Sequence, residues 1–308
     1  MPRLEPIRTL TLVRAPAPGM PQFLSAASGL VSAGGHWYVI GDDLHHLGVF
    51  PTNGRARGSL VRLFPGTIAT DAKKRKKRKP DFETLVLLPP FAEHPQGALL
   101  ALGSGSRTRR QIGALIALDG HRGVVGSPML VDLSQLYAPL EREFGELNIE
   151  GAFIDGKHLA LLQRGHAQAP RNARVRVRMA PLVAALADGV PLPARAVHDI
   201  TDYALPAVDG VPLCFTDGAA LRDGGFVFTA VAENTGNSYD DGGCVGSAIG
   251  IIGHDDGLTA CWRLAPPLKV EGIAVREHAQ RLDVHVVTDA DNPRTPARLL
   301  SATLPRPR

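Results

Sequence analysis

The sequence predicts an all-β chain folded as a five-bladed β-propeller, and three observations carry that expectation. Five segments open an apolar stretch with an acidic or hydroxyl residue followed by a small one: Ser28-Gly29-Leu30-Val31, Glu83-Thr84-Leu85-Val86, Glu150-Gly151-Ala152-Phe153, Asp217-Gly218-Ala219-Ala220 and Glu271-Gly272-Ile273-Ala274. The steps between their first residues are 55, 67, 67 and 54, the period of a repeat made of one supersecondary unit. Behind each segment comes a series of short strand-like runs punctuated by Gly and Asp turns.

The elements follow in order. Second runs at 36–40, 98–102, 158–162, 226–230 and 282–287 stand a turn away from each opening segment, as hairpin partners do. Third runs follow at 47–50, 113–118, 175–179, 248–252 and 297–302, and fourth runs near 58–64, 128–133, 195–201 and 258–264. The fifth unit shows only three runs, while residues 7–13 form an apolar run with no partner of their own. If that N-terminal strand completes the last blade, the ring closes and only short, protected edges remain. The expectation is one domain over 1–308, with units starting near 28, 83, 150, 217 and 271 and short helices at 136–146 and 181–186. A β-sandwich with irregular loops is the competing architecture.

With 308 residues, 44% apolar and 21% charged, the chain can bury a sizeable core. No window approaches 18 unbroken apolar residues, so no membrane-spanning helix is predicted. The opening Met1-Pro2-Arg3-Leu4-Glu5-Pro6 lacks a signal-peptide pattern, and Cys214, Cys244 and Cys261 are too few for a disulfide framework; a reduced, cytoplasmic protein is expected. The net charge of +4 is uneven: Lys73-Lys74-Arg75-Lys76-Lys77-Arg78-Lys79 holds seven of the 34 Lys and Arg, leaving 27 against 30 acidic residues elsewhere. Like charges repel, so this run at 71–80 reads as a solvated, mobile loop, with nonspecific contact to nucleic acid or another anion as the alternative. No aromatic interrupts it to stack bases.

On a propeller the first strand of each blade lines the axis, which brings Ser28, Glu83, Glu150, Asp217 and Glu271 to the channel mouth. Loops between blades and between second and third strands open on that face, adding the run Lys73 to Lys79 and Asp42, Asp43, His45, His46, Arg107, Arg109, Arg110, Arg164, Glu233, Asn234 and Asp289. Carboxylates about 6 Å apart at an effective dielectric of roughly 20 repel by about 3 kcal/mol per pair, so a cation is expected to compensate the ring. An all-oxygen set of five contributors suits calcium, which takes six to eight oxygens. The alternative is that these side chains bond backbone amides and channel water.

The order Ser, Glu, Glu, Asp, Glu heading five blades resembles the calcium-activated nucleotidase family, the soluble apyrases. Ser28-Gly29-Leu30 with Trp37-Tyr38-Val39-Ile40-Gly41-Asp42-Asp43, Lys269-Val270-Glu271-Gly272-Ile273, and Arg164 at the place of a Pro-Arg-Arg carry the likeness. The resemblance implies one axial calcium and hydrolysis of nucleotide phosphoanhydrides. Where the family has D-D-R-T-G this chain has Asp42-Asp43-Leu44-His45-His46, and its fourth-blade lysine is replaced within Ala230-Val231-Ala232-Glu233-Asn234. A looser resemblance to phytase-related esterase-like propellers points to the same architecture.

As an enzyme, the chain would use calcium to polarise a phosphoryl oxygen of a small anionic substrate. Asp42 or Asp43 would accept a proton from water, and Arg107, Arg164 and the histidines would stabilise negative charge. Each has a plainer alternative: Asp42-Asp43 as a turn cap, the arginines as a solvated face, the histidines as surface turns. The second hypothesis is a calcium-stabilised scaffold without chemistry. The Gly-rich stretch Asn234-Thr235-Gly236-Asn237-Ser238-Tyr239-Asp240-Asp241-Gly242-Gly243 would serve it for contact or for a second calcium.

Overall fold

The computed structural model describes residues 2–69, 71–234 and 243–306. The Gly-rich stretch therefore lies, for residues 235–242, outside the described residues. The N-terminal strand β1 (Glu5–Thr9) is set aside for the last blade. Blade one is β2 (Ala27–Ala33), β3 (His36–Gly41), β4 (His46–Pro51) and β5 (Ser59–Arg62). Helix α1 (Ala72–Arg78) leads to blade two, β6 (Phe82–Leu88), β7 (Ala98–Gly103), β8 (Ile112–Ala117) and β9 (Met129–Asp132). After α2 (Ser134–Phe144) comes blade three, β10 (Ile149–Asp155), β11 (His158–Gln163), β12 (Asn172–Arg178) and β13 (Val197–Tyr203), with α3 (Met179–Asp188) between its last two strands. A small hairpin, β14 (Ala207–Val208) and β15 (Val211–Pro212), precedes blade four, β16 (Cys214–Ala220), β17 (Phe226–Glu233), β18 (Cys244–Ile252) and β19 (Leu258–Arg263). Blade five is β20 (Val270–Glu277), β21 (Arg281–Thr288) and β22 (Arg298–Pro305), completed by β1, whose Glu5 stands opposite Ser301 and Thr9 opposite Arg298. The fold is the expected five-bladed propeller closed by its N-terminal strand.

Strand alternation explains why the second runs are apolar throughout. In β11, Leu159 and Leu161 face the cluster shared with blade two, while Ala160 and Leu162 face the one shared with blade four. Five such clusters fill the five gaps between neighbouring blades. Inner strands β2, β6, β10, β16 and β20 touch in sequence, and β20 touches β2 to close the ring. Glycine permits that approach: a Cβ on Gly151 would lie 2.7 Å from the Asp217 Cα, and one on Gly272 2.7 Å from the Gly29 carbonyl carbon.

Helices α2 and α3 cover the cluster between blades two and three with Leu136, Tyr137, Leu140, Leu182, Ala185 and Leu186, close to where the sequence predicts them. The basic run departs from expectation, forming α1 rather than a solvated loop. Its N-cap Asp71 accepts the Lys74 N–H at 2.8 Å, and two of its cations are buried on acids below. Lys74, Lys77 and Arg78 are exposed. Among the described residues no helix is long and apolar enough to cross a membrane.

Candidate functional site

Each inner strand carries a β-bulge at its channel end. The ladder skips Ser28 in blade one, Glu83 in blade two, Glu150 in blade three and Thr216 in blade four, and it slips across Glu271-Gly272 in blade five. A bulged residue leaves the pairing and its side chain is re-aimed, which is why one signature recurs at these positions. Blade four differs from the reading by motif. Register gives its place in the ring to Thr216, and Asp217 stands one residue further along, level with Gly151 of blade three. The Asp217 carboxylate accepts the N–H of Gly218 at 2.8 Å and of Ile273 at 2.9 Å, bonding backbone amides. The Thr216 hydroxyl donates to the Val270 carbonyl at 2.8 Å.

Around blades one and two lies the first group of charges. Oxygens of Asp42, Asp81 and Glu83 fall within 4.8 Å of one another, a spacing that fits donors around one ion. The Lys79 ammonium pairs with Asp42 and, at 2.7 Å, with Asp81. Arg110 meets Asp81 at 2.7 Å, and the Ser104 hydroxyl donates to it at 2.5 Å. Asp81 holds a left-handed φ of 59°, a conformation costly for a side chain other than glycine and kept here by its four polar contacts. Asp43 pairs with Arg75 at 3.3 Å.

The second group spans blades three to five. Arg164 bridges Glu150 at 3.3 Å and Glu233 at 2.7 Å, and the Asn148 amide donates to Glu150 at 2.6 Å. Lys269 stands among four carboxylates, Asp291 at 2.7 Å, Glu233 at 3.1 Å, Glu271 at 3.7 Å and Asp289 at 3.9 Å. Glu83 and Glu271 each feel the charge of Glu150, which links the two groups across the axis.

Among the described residues, nine carboxylates, from Asp42, Asp43, Asp81, Glu83, Glu150, Glu233, Glu271, Asp289 and Asp291, thus face five cations, Arg75, Lys79, Arg110, Arg164 and Lys269. Burial, followed by neighbouring acids, pushes Glu83 well above the ordinary carboxyl range. Burial likewise raises Glu271 and Asp289 well above it, against the pull of Lys269. Asp43 is pushed up to about 6 by burial and by Asp42. Asp81 goes the other way: Lys79 and Arg110 overcome its burial and hold it low. Asp42 Oδ1 and Asp43 Oδ1 are buried without a hydrogen-bond donor among the described residues. An oxygen-only donor set with surplus negative charge and orphaned oxygens fits a hard divalent cation.

Several expected residues fall elsewhere. His45 is buried, edge-on to Phe64 with ring centres 5.3 Å apart, and burial lowers its pKa. Arg107 is exposed at the start of a short 3-10 turn, and Arg110 from the same turn enters the site instead. Glu233 binds cations, and Asn234 is exposed at the border of the undescribed residues. Lys79 belongs to the basic run that the loop geometry puts on this face, whereas Asp81, Asn148 and Lys269 were not legible as site residues from the repeat alone. Their signal is a polar residue two places before a ring glutamate, as in Asp81 and Glu83, Asn148 and Glu150, and Lys269 and Glu271.

The fold and this mouth define a class: a five-bladed propeller with an acidic, partly self-neutralised channel opening. Residues 23–304 match the profile of the family of unknown function DUF6929, and the chain belongs to that family. No curated protein matches its sequence. Among solved structures, a luciferin-regenerating enzyme shares 12% identity over 91% of this chain and 78% of its own, with a TM-score of 0.39. A gluconolactonase from Xanthomonas campestris shares 15% over 67% and 57%, at 0.33. A GH43 endo-arabinanase from Bacillus licheniformis shares 12% over 92% and 94%, at 0.37. At such identities the likeness is one of fold, and no activity passes to this chain on that ground. None of the comparisons points to the calcium-activated nucleotidases.

Proposed function

We propose that this chain binds calcium at the mouth of its channel and uses it to hydrolyse phosphoester or phosphoanhydride substrates. The observation that supports the reading is the charge imbalance: among the described residues, nine carboxylates gather on five cations, and the acidic donors are oxygens. Ser28, Glu83, Glu150 and Glu271 would hold the ion, with Asp42 and Asp81 beside Glu83. Asp217 is left out because both its oxygens serve backbone amides. When bound, calcium supplies a Lewis acid for a phosphoryl oxygen. Asp43 accepts the proton of the attacking water, since a carboxyl near 6 is ionised at neutral pH and still basic. In this structure Arg75 pairs with it at 3.3 Å. Arg164 lines a cavity of about 170 Å³ with Glu146, Gln163, His166 and Arg171.

A calcium-stabilised scaffold is the second reading. It is favoured by the saturation of Arg164 and Lys269 with carboxylates, which a phosphate would have to displace. Calcium should raise the melting temperature of the wild-type chain, and Glu150→Gln or Glu271→Gln should abolish the rise; a wild-type chain indifferent to calcium ends the metal reading. Turnover of nucleoside diphosphates, phytate or an aryl phosphate that is lost in Asp43→Asn decides for the enzyme. No turnover by calcium-loaded protein decides for the scaffold.

A further inference from the structure

Seven consecutive positions rich in lysine and arginine form a helix only when something beneath them supplies the opposite charge. A helix of this length does not persist alone, because nucleation is costly and cations one turn apart repel. In α1, Asp71 caps the first turn, while Arg75 and Lys79, four residues apart and so on one face, reach down to Asp43, Asp42 and Asp81. The Lys79 ammonium stands against the oxygens of Asp42 and Asp81, which with Glu83 lie within 4.8 Å of one another. It is a positive charge seated in a cluster suited to one.

We infer that α1 is a strap held over the channel mouth by Lys79, and that a divalent cation bound by Asp42, Asp81 and Glu83 displaces Lys79 and releases the strap. The inference rests on the calcium reading above. A metal ion bonded to the oxygens that Lys79 contacts would lie too near its ammonium for both to stay. The lysine is the group that leaves, being strongly hydrated and carried on a flexible stem. Loss of that anchor removes the support of the last turn, where the Lys79 N–H donates to the Arg75 carbonyl. Release uncovers Asp43, which Arg75 now covers, and carries the exposed Lys74, Lys77 and Arg78 away from the mouth. Metal binding and access to the proposed base are thereby one event.

Hydrogen exchange of the backbone amides of residues 74–79, read by mass spectrometry on the full chain in calcium chloride or in EDTA, tests this directly. Calcium is expected to speed their exchange by about tenfold or more, because the amides lose their helical acceptors. In EDTA, Lys79→Met should already exchange at the fast rate, and by calorimetry it should bind calcium about tenfold more tightly than the wild type. Lys77→Met, on the exposed side, should change neither. Calcium bound by calorimetry with exchange unchanged or slowed sinks the strap and leaves the calcium reading standing. Calcium bound by Lys79→Met alone overturns the release, because the ion then does not displace the lysine. Binding by neither chain overturns both. Should Lys79→Met fail to fold, the wild-type comparison of calcium with EDTA decides.

Discussion

Asp217 holds three inner strands together, accepting N–H groups from its own strand at Gly218, from β20 at Ile273 and from β10 at Ala152. Burial pushes its carboxyl well above the ordinary range against the pull of those amides. Asp217→Ala leaves buried donors without an acceptor, at about 1–3 kcal/mol for each such group. The melting temperature should fall by several degrees while the midpoint of a calcium titration stays put; a shifted midpoint would return Asp217 to the metal ring. His46 supplies the acid sensitivity. Burial, helped by Arg62 and His45, lowers its pKa to about 4 in the folded chain, whereas the unfolded side chain protonates near 6.5. The unfolded state therefore takes up a proton first as pH falls, so this contribution is whole above about 6.5 and lost towards 4. His46→Gln should gain stability relative to wild type as pH drops through that window, by up to about 3 kcal/mol. A wild-type to variant difference that is flat with pH would refute it.

Among the elements, the inner strands carry the tightest constraint. The small residue of the opening signature reads as part of a repeat, and the structure gives it a physical reason: at Gly151 and Gly272 a Cβ would press on backbone atoms of the neighbouring blade, which no rotamer change relieves. Gly272→Ala should cost about 1–3 kcal/mol, as overpacking does. A variant melting within a degree of wild type would mean the ring opens more easily than its packing implies. Strands were legible because two buried faces demand unbroken apolar runs. Helix α1 was not, because local like-charge repulsion argues against it, and its support comes from Asp42, Asp43 and Asp81 on other elements.

The molecule as a whole concentrates acid at one end of its axis. Glu83, Glu271 and Asp289 sit well above the usual carboxyl range and Asp43 near 6, so the mouth holds its protons more tightly than an unfolded chain does, at Asp43 up to about pH 6. Those protons stabilise the metal-free fold below about 4 and upward until each group ionises; the Asp43 contribution is lost as pH rises through about 6. Calcium needs the ionised form, so its binding near pH 6 should release protons and tighten as pH rises. Calorimetry in two buffers of different ionisation enthalpy measures that release, and identical heats in both would contradict it. From the sequence alone come the blade count, the strand runs, the closing strand and three of the axial glutamates, because period and strand alternation are local properties of a chain. Tertiary structure alone decided that the fourth bulge falls on Thr216, that Asp217 ties strands together, and that Asp81 and Lys269 pair with Lys79, Arg110 and those glutamates at the mouth. Register and charge pairing between distant segments depend on which blades are neighbours, and only the closed ring makes them so.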